Sequence, residues 1–453
     1  MMLSEAAQHM HGHLKGEDND FSSVSIDTRN LNAGALYLAI KGDKYDGHDF
    51  VEQALQKGAL ACVVEKYSAI NEGHEPFVEV EDTRIALGLL ASAWKKQYHP
   101  LCVAITGSSG KTTVKEMVAS ILVLAGQTLA TKGNLNNDIG VPLTLLRLKE
   151  TDKFAVIELG ASAEGEIEYT SKLVCPDIAL ITNIAPAHIE GFGSIEGISR
   201  AKSEIFDGLV GDGTAIINLD EPFNTEWKDK LVNKTVFRVS SDFRDDADLW
   251  LDNISFQEEG NSVFQIKSRK SVLDIRLKLL GEHNAHNALL AAAVAKVCGV
   301  KDEYIVKGLE NIKPVSGRLN PLRGINNLKI IDDTYNANPL SVKAALNLLS
   351  SCTGKTAVIL GDMAELGENS PELHQEMGEW AAKKNIHQLV AIGKYAKYVA
   401  KGFGPQSIIY LNQDEAINQL HEIFEDGVTV LVKGSRSAQM ENIVNILVNR
   451  ELK

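Results

Sequence analysis

One stretch limits the architecture more than any other: "LCVAITGSSGKTTVKE", residues 101–116. A short apolar run leads into Gly107, Ser108, Ser109 and Gly110, and Lys111-Thr112-Thr113 then opens a helical pattern. A buried strand, a glycine turn and a helix form the first half of a parallel α/β unit, so a sheet with crossover helices is predicted. Such a turn also gathers backbone N–H groups and the positive end of a helix dipole at one point, which suits a phosphate. Lys111 is placed to reach terminal phosphates, and the Thr112 or Thr113 hydroxyl to hold Mg²⁺. The spacing G-x-x-x-x-G-K-[ST] would put glycine where Ile105 stands, so this loop is a shortened form.

The alternation continues on both sides of the loop. With 453 residues, the chain has room for two or three domains. Residues 1–99 mix short strands with helical stretches and end in the amphipathic "TRIALGLLASAWKKQYH" before Pro100. Residues 100–314 read as strands alternating with helices, with an antiparallel extension between about Phe237 and Leu279. Residues 315–453 alternate strictly, each strand ending in Gly, Asp or Lys, as in a doubly wound, Rossmann-like sheet whose ligands sit at the carboxyl ends of the strands.

Charge narrows the partners. A formal net charge of −14 leaves no basic run for nucleic acid or for a membrane patch, so an anionic ligand has to be held locally. No apolar run reaches bilayer length and no signal segment opens the chain. The five cysteines are never in C-x-x-C spacing, which fits free thiols in a reducing cytoplasm. The "HMHGH" cluster (His9, His11, His13) lacks acidic or cysteine partners at ligand spacing and reads as a solvated or partly packed helix.

Chemistry-bearing residues stand at the strand ends. Glu158 closes the apolar "FAVIELG" and is a candidate Mg²⁺ ligand, or else a helix cap ahead of Ala161 and Ser162. Thr182, Asn183 and His188 follow another buried strand, and Lys202 lies in the helix after it, where a solvent-facing lysine is equally compatible with the pattern.

Read in order, "TGSSGKTT", "GNLNNDIGVPLT", "ELGAS", "NIAPAHIEGFGS", "AKSEI", "GEHNAHNALLAAA", "SGRLN", "DDTYNANP", "LGDMAELG" and "KGSRS" resemble the Mur ligases of bacterial cell-wall synthesis over essentially the whole chain. The forms "GSSGKTT", "DDTYNANP" and "GDMAELG" look like those of members that add D-alanyl-D-alanine, and the shortened phosphate loop is the family's own.

The resemblance implies that Gly107, Ser108, Ser109, Gly110, Lys111, Thr112 and Thr113 bind ATP phosphates. It implies Thr112, Glu158, His188 and Lys202 around two Mg²⁺ ions, with Lys202 matching a lysine that family members carbamylate. Asn287 would contact adenine, with His283 and Asn284 nearby, while Arg318 and Asp333 reach the nucleotide from the third domain. Tyr335 would pack near the base, or act as a core aromatic. The acceptor would meet Asn134, Asn136 and Asn137 at its peptide, and Ser25, Asp27, Thr28, Arg29, Gly42, Asp46 and Gly47 at its uridine diphosphate. Asp362, Glu365, Lys433, Ser435 and Arg436 would orient the incoming dipeptide.

The implied reaction is an amide ligation. ATP phosphorylates the carboxylate of a UDP-N-acetylmuramoyl-tripeptide, and the D-alanyl-D-alanine amine displaces phosphate from the acyl phosphate. Lys111, Glu158, His188, Lys202 and Arg318 are the expected catalytic set, and closure of the third domain over ATP is expected to exclude water. The implied protein is a cytoplasmic monomer. Competing readings are another Mur-type or folylpolyglutamate-synthase-like ligase, and a phosphate-loop ATPase or kinase.

Overall fold

The strand that feeds the phosphate loop, Leu101–Thr106, is buried along nearly its whole length. It pairs in parallel with Phe154–Glu158 on one side and Ile178–Ile181 on the other. A strand covered on both faces by helices has no solvent side, hence its unbroken apolar run. The computed structural model describes residues 1–42, 44–66, 76–186, 189–256, 262–417 and 419–448.

Around this strand lies a nine-stranded sheet that begins at the edge strand Thr128–Ala130 and stays parallel as far as Leu249–Phe256. Ser262–Lys267 and Val272–Leu277 then add antiparallel ladders. The extension expected after Phe237 is thus antiparallel only in its outer part, since Thr235–Ser240 is parallel to both neighbours. In the two outer strands every second residue is buried, the period of a sheet with one face on the core. Helices Lys111–Leu122 and His283–Val297 share that core, with Val114, Met117 and Ile121 among the alanines of the second helix. Small side chains there let the two backbones approach, which brings the second helix's first turn beside the phosphate loop.

The first sheet has five strands, ordered His13–Lys15, Phe77–Val80, Ala61–Glu65, Ala35–Leu38 and Ser23–Ser25, antiparallel only at the first pair. Helix Thr83–Tyr98 starts where the Asp82 carboxylate accepts from the N–H groups of Arg84 and Ile85, and leads into the central sheet. "HMHGH" is not one helix. His9 ends Leu3–His9, His11 turns the chain at φ 53°, and His13 begins an edge strand.

The third sheet has six strands in the order Asn320–Arg323, Lys329–Asp333, Thr429–Lys433, Thr356–Gly361, Gln388–Ile392 and Ser407–Tyr410. All but the first pair are parallel, and apolar clusters cover both faces. The last strand in sequence inserts beside Lys329–Asp333, so the loops after Asp333 and Lys433 emerge side by side. Among the described residues no helix is long and apolar enough to cross a membrane.

Candidate active site

The phosphate loop is held from below by its neighbours. Thr182 Oγ1 donates to the Ser109 carbonyl at 2.6 Å, and the Asn183 side-chain oxygen accepts from the Ser109 N–H at 3.0 Å. Ser108 Oγ donates to the Ala185 carbonyl at 2.9 Å. Two glycines are required by the geometry. At Gly107, with φ 144°, a Cβ would lie 2.0 Å from Thr182 Oγ1; at Gly110, with φ 77°, it would lie 2.8 Å from Asn287 Oδ1. Lys111 donates to the Gly107 carbonyl at 2.6 Å. Desolvation holds its ammonium below the usual lysine range, with Glu158 opposing that shift and Arg318 adding to it.

The oxygens of the site meet at Glu158, which is 2% exposed. One carboxylate oxygen accepts from Thr112 Oγ1 at 2.9 Å and the other from Asn136 Nδ2 at 2.8 Å. Thr112 Oγ1 in turn accepts from an Arg318 terminal nitrogen at 2.9 Å, across the gap between the second and third sheets. A hydroxyl and a single carboxylate are an all-oxygen set, suited to a hard cation that keeps waters and brings phosphate oxygens with it. Among the described residues no three His, Cys, Asp or Glu gather into a closed metal cage. The oxygens of Thr112 and Glu158 fit an ion that arrives with a nucleotide, such as Mg²⁺.

From the third sheet, the Arg318 guanidinium lies over the Tyr335 ring at 4.2 Å, and its Nε is buried with no partner among the described residues. Of the two alternatives for Tyr335, the ring is a cleft wall rather than a core aromatic. Asp333 accepts from the Lys433 ammonium at 2.6 Å, and Lys433 also donates to the Asn336 carbonyl at 2.9 Å. Opposite them, Asn287 Nδ2 donates to Asn284 Oδ1 at 2.9 Å, and Asn284 Nδ2 reaches back to the Leu280 carbonyl. A cleft of about 880 Å³ joins these residues, lined by the loop, by Asn134, Asn136 and Asn137, by His283, and by Asp333, Tyr335, Lys433 and Arg436. That volume falls within the range of small-molecule sites.

Lys202 is 2% exposed and not solvent-facing. Its ammonium lies over the Phe192 ring and contacts the Ala161 carbonyl at 3.5 Å. Burial pushes it down to about 7; Lys111 pushes the same way, and Glu166 and Glu204 oppose. His188 lies outside the described residues.

Comparison with known proteins agrees along the chain. Residues 20–95 match the model described as Mur ligase family, catalytic domain; residues 105–295 match the Mur ligase middle domain; residues 317–436 match the Mur ligase, glutamate ligase domain. UDP-N-acetylmuramoyl-tripeptide–D-alanyl-D-alanine ligase of Escherichia coli strain K12 is 42% identical over 450 residues, covering 98% of each chain. The chain belongs to the Mur ligase family.

Solved structures give the same result in three dimensions. A crystal structure of MurF from Acinetobacter baumannii superposes on this Mur ligase with a TM-score of 0.90 at 35% identity, covering 98% of each chain. The Thermotoga maritima MurF ligase in complex with ADP gives 0.83 at 26% identity, covering 94% of this chain and 96% of that one.

The remaining candidates of this Mur ligase divide by location. Ser25, Asp27, Thr28 and Arg29 form one tight turn: the Asp27 carboxylate accepts from the Arg29 backbone and guanidinium, and Thr28 donates to Gln53 Oε1 at 2.5 Å. That hydrogen bonding holds the Asp27 carboxyl below its usual range. Gly42, Asp46 and Gly47 lie in the segment after the neighbouring parallel strand Ala35–Leu38, where Asp46 accepts from the His48 N–H and ring. In the third sheet Lys433 and Arg436 line the cleft. Asp362 does not; its carboxylate accepts from the N–H groups of Lys394 and Tyr395 and so shapes the next loop. Ser435 donates its N–H to the Asp362 carbonyl, and Glu365 stands on an exposed turn at φ 61°.

Two supporting residues escaped the motif reading. Glu221, 6% exposed, accepts from the Ile184 N–H at 2.8 Å and braces the segment under the phosphate loop. Thr131 Oγ1 accepts from the Glu158 N–H at 3.0 Å and fixes the carboxylate's strand end. A signal was available in that Thr131 directly follows the strand Thr128–Ala130 and Glu221 lies three residues beyond Thr214–Asn218, both at carboxyl ends of one parallel sheet, where such residues converge.

Proposed function

We propose that this Mur ligase joins D-alanyl-D-alanine to a UDP-N-acetylmuramoyl-tripeptide with ATP, through an acyl phosphate, to give the pentapeptide precursor of peptidoglycan. The observation that carries the reading is the meeting of Lys111, Thr112, Glu158 and Arg318 at one cleft, in a chain similar end to end to ligases of that name. A carboxylate in water resists amines because it is anionic and its oxide is a poor leaving group. Transfer of the γ-phosphoryl group makes a carboxyl oxygen leave as phosphate.

Transfer brings two anions together, so catalysis here is mainly charge placement. Lys111 supplies a cation at the terminal phosphates, and Arg318 a second from the opposite wall. Thr112 and Glu158 would hold Mg²⁺, which supplies neutralisation of phosphate charge and in-line orientation when bound. His188 and Lys202 would serve a second ion. A neutral Lys202 amine adding to CO₂ forms a carbamate and releases a proton, and burial that disfavours its ammonium supports that modification.

Residues 1–99 would hold the uridine diphosphate through the Ser25–Arg29 turn and the Gly42–Gly47 loop. Residues 100–314 would hold ATP and, at Asn134, Asn136 and Asn137, the acceptor peptide. Residues 315–453 would present the dipeptide, its carboxylate near Arg436 and Lys433. Asp362, Glu365 and Ser435 would shape that site from behind. Free thiols and ATP as substrate support a cytoplasmic enzyme, which on this reading acts as a monomer.

The test is phosphate release by purified protein with ATP, Mg²⁺ and the UDP-linked tripeptide. Release should require D-alanyl-D-alanine and yield the pentapeptide by mass. Turnover with a free amino acid in its place would move the assignment to another ligase of the family, and release without any amine would point to an ATPase.

A further inference from the structure

A second cavity, of about 670 Å³, lies between the edge strand Ser23–Ser25 of the first sheet and the edge strand Thr128–Ala130 of the second. Its charged lining is Lys132, Arg147, Lys149 and Asp152. Three cations against one carboxylate reverse the sign of a chain whose net charge is −14. Asp152 is partly committed, since it accepts from the Lys149 N–H at 2.9 Å. Arg147 follows the buried helix Gly140–Leu145, and its Nη1 is buried without a hydrogen-bond partner among the described residues. A buried guanidinium N–H is rarely left unpaired, and its planar fork matches carboxylate or phosphate oxygens. The other walls mix the neutral polar side chains of Ser22, Ser23, Gln127 and Thr128 with apolar and aromatic ones, among them Phe21, Leu129 and Trp94, whose indole N–H is already donated to the Leu148 carbonyl.

We propose that this cavity binds a small organic oxyanion, a carboxylate or phosphate carried on an aromatic or aliphatic body, with Arg147 as its principal partner. Its chemistry is separate from the central cleft: it has neither the glycine loop nor the oxygen set around Glu158. It is nevertheless close, because Lys132 lines this cavity while the next residues, Gly133 and Asn134, line the cleft. A ligand here would tie the first sheet's edge to the segment that enters the acceptor loop.

Calorimetric titration with phenyl phosphate and with benzoate tests the site on the full chain. One equivalent of either probe should bind the unaltered protein and the Lys111→Ala protein alike, and the tighter probe names the oxyanion. Arg147→Gln should weaken binding about tenfold or more, and Asp152→Asn should tighten it by about two- to fivefold. Lys132→Gln, at an exposed position, should weaken it about threefold and keeps the test valid if Arg147→Gln does not fold. Absence of binding by both probes, unchanged affinity in the folded Arg147 or Lys132 variants, or loss in Lys111→Ala alone would overturn the proposal.

Discussion

Glu221 illustrates how much of this site rests on single buried groups. One oxygen accepts from Ile184 while Oε1 is buried without a partner among the described residues, and burial pushes the carboxyl above its usual range despite two backbone hydrogen bonds. A raised folded-state value means that the native protein binds the proton more tightly than the unfolded chain does. The stabilisation is therefore complete below the unfolded value, near 4.5, and is lost as pH rises through the folded value. Glu221→Gln should thus melt higher than the parent protein at pH 7, with the difference shrinking to nothing as pH falls toward 4.5. Thermal unfolding of both proteins across that range reads the outcome; a constant difference would contradict it. Lys111 predicts differently. Its ammonium is already disfavoured by burial, so Lys111→Ala should keep or slightly raise the melting temperature while phosphate release falls by about 10²- to 10³-fold.

Between the elements, the phosphate loop and the first turn of His283–Val297 are fitted to each other. Gly110→Ala puts a methyl group on a left-handed residue and 2.8 Å from Asn287 Oδ1. A loss of about 1–2 kcal/mol is expected from the backbone alone, together with a raised KM for ATP. Calorimetric melting and steady-state kinetics check the two parts separately. Lys433 joins two neighbouring strand ends of the third sheet through Asp333, with 2% and 14% side-chain exposure respectively. Removing one partner of a buried pair costs about 3–5 kcal/mol, so Lys433→Ala should unfold at markedly lower denaturant as well as lose activity. A Lys433 that touched only substrate would lose activity with its unfolding midpoint unchanged.

Across the whole molecule, Arg318 ties the third sheet to the helix that follows the glycine loop, through Thr112. Arg318→Ala should lower kcat about 10²-fold, by removing charge opposite the transferring phosphoryl group. It should also increase the radius of gyration measured by small-angle scattering, because the link across the cleft is gone. An unchanged scattering curve would mean that other contacts hold the sheets together. The order of strands and helices, the glycine loop and the convergence on a parallel sheet were legible because each depends on local periodicity and on residues near in sequence. Lys202 was not: a lysine in a helix looks the same whether its end meets water or Phe192. The direction of Asp362 was not legible for a related reason, since a carboxylate at a strand end can face the cleft or, as here, accept from the N–H groups of Lys394 and Tyr395.

By itself, then, the sequence determined the class of sheet, the phosphate loop and the residue types available for chemistry, because backbone geometry and burial period are set within a few residues. Only the tertiary structure decided which of those groups face one another. Arg318 reaches Thr112 across 206 positions, and Lys433 reaches Asp333 across 100. Such meetings depend on how whole sheets pack, which no local pattern in the sequence encodes. The shortened loop of residues 107–110 needed both. Its glycines announce a tight turn, but the reasons no other residue fits are Thr182 and Asn287, brought against it by the fold.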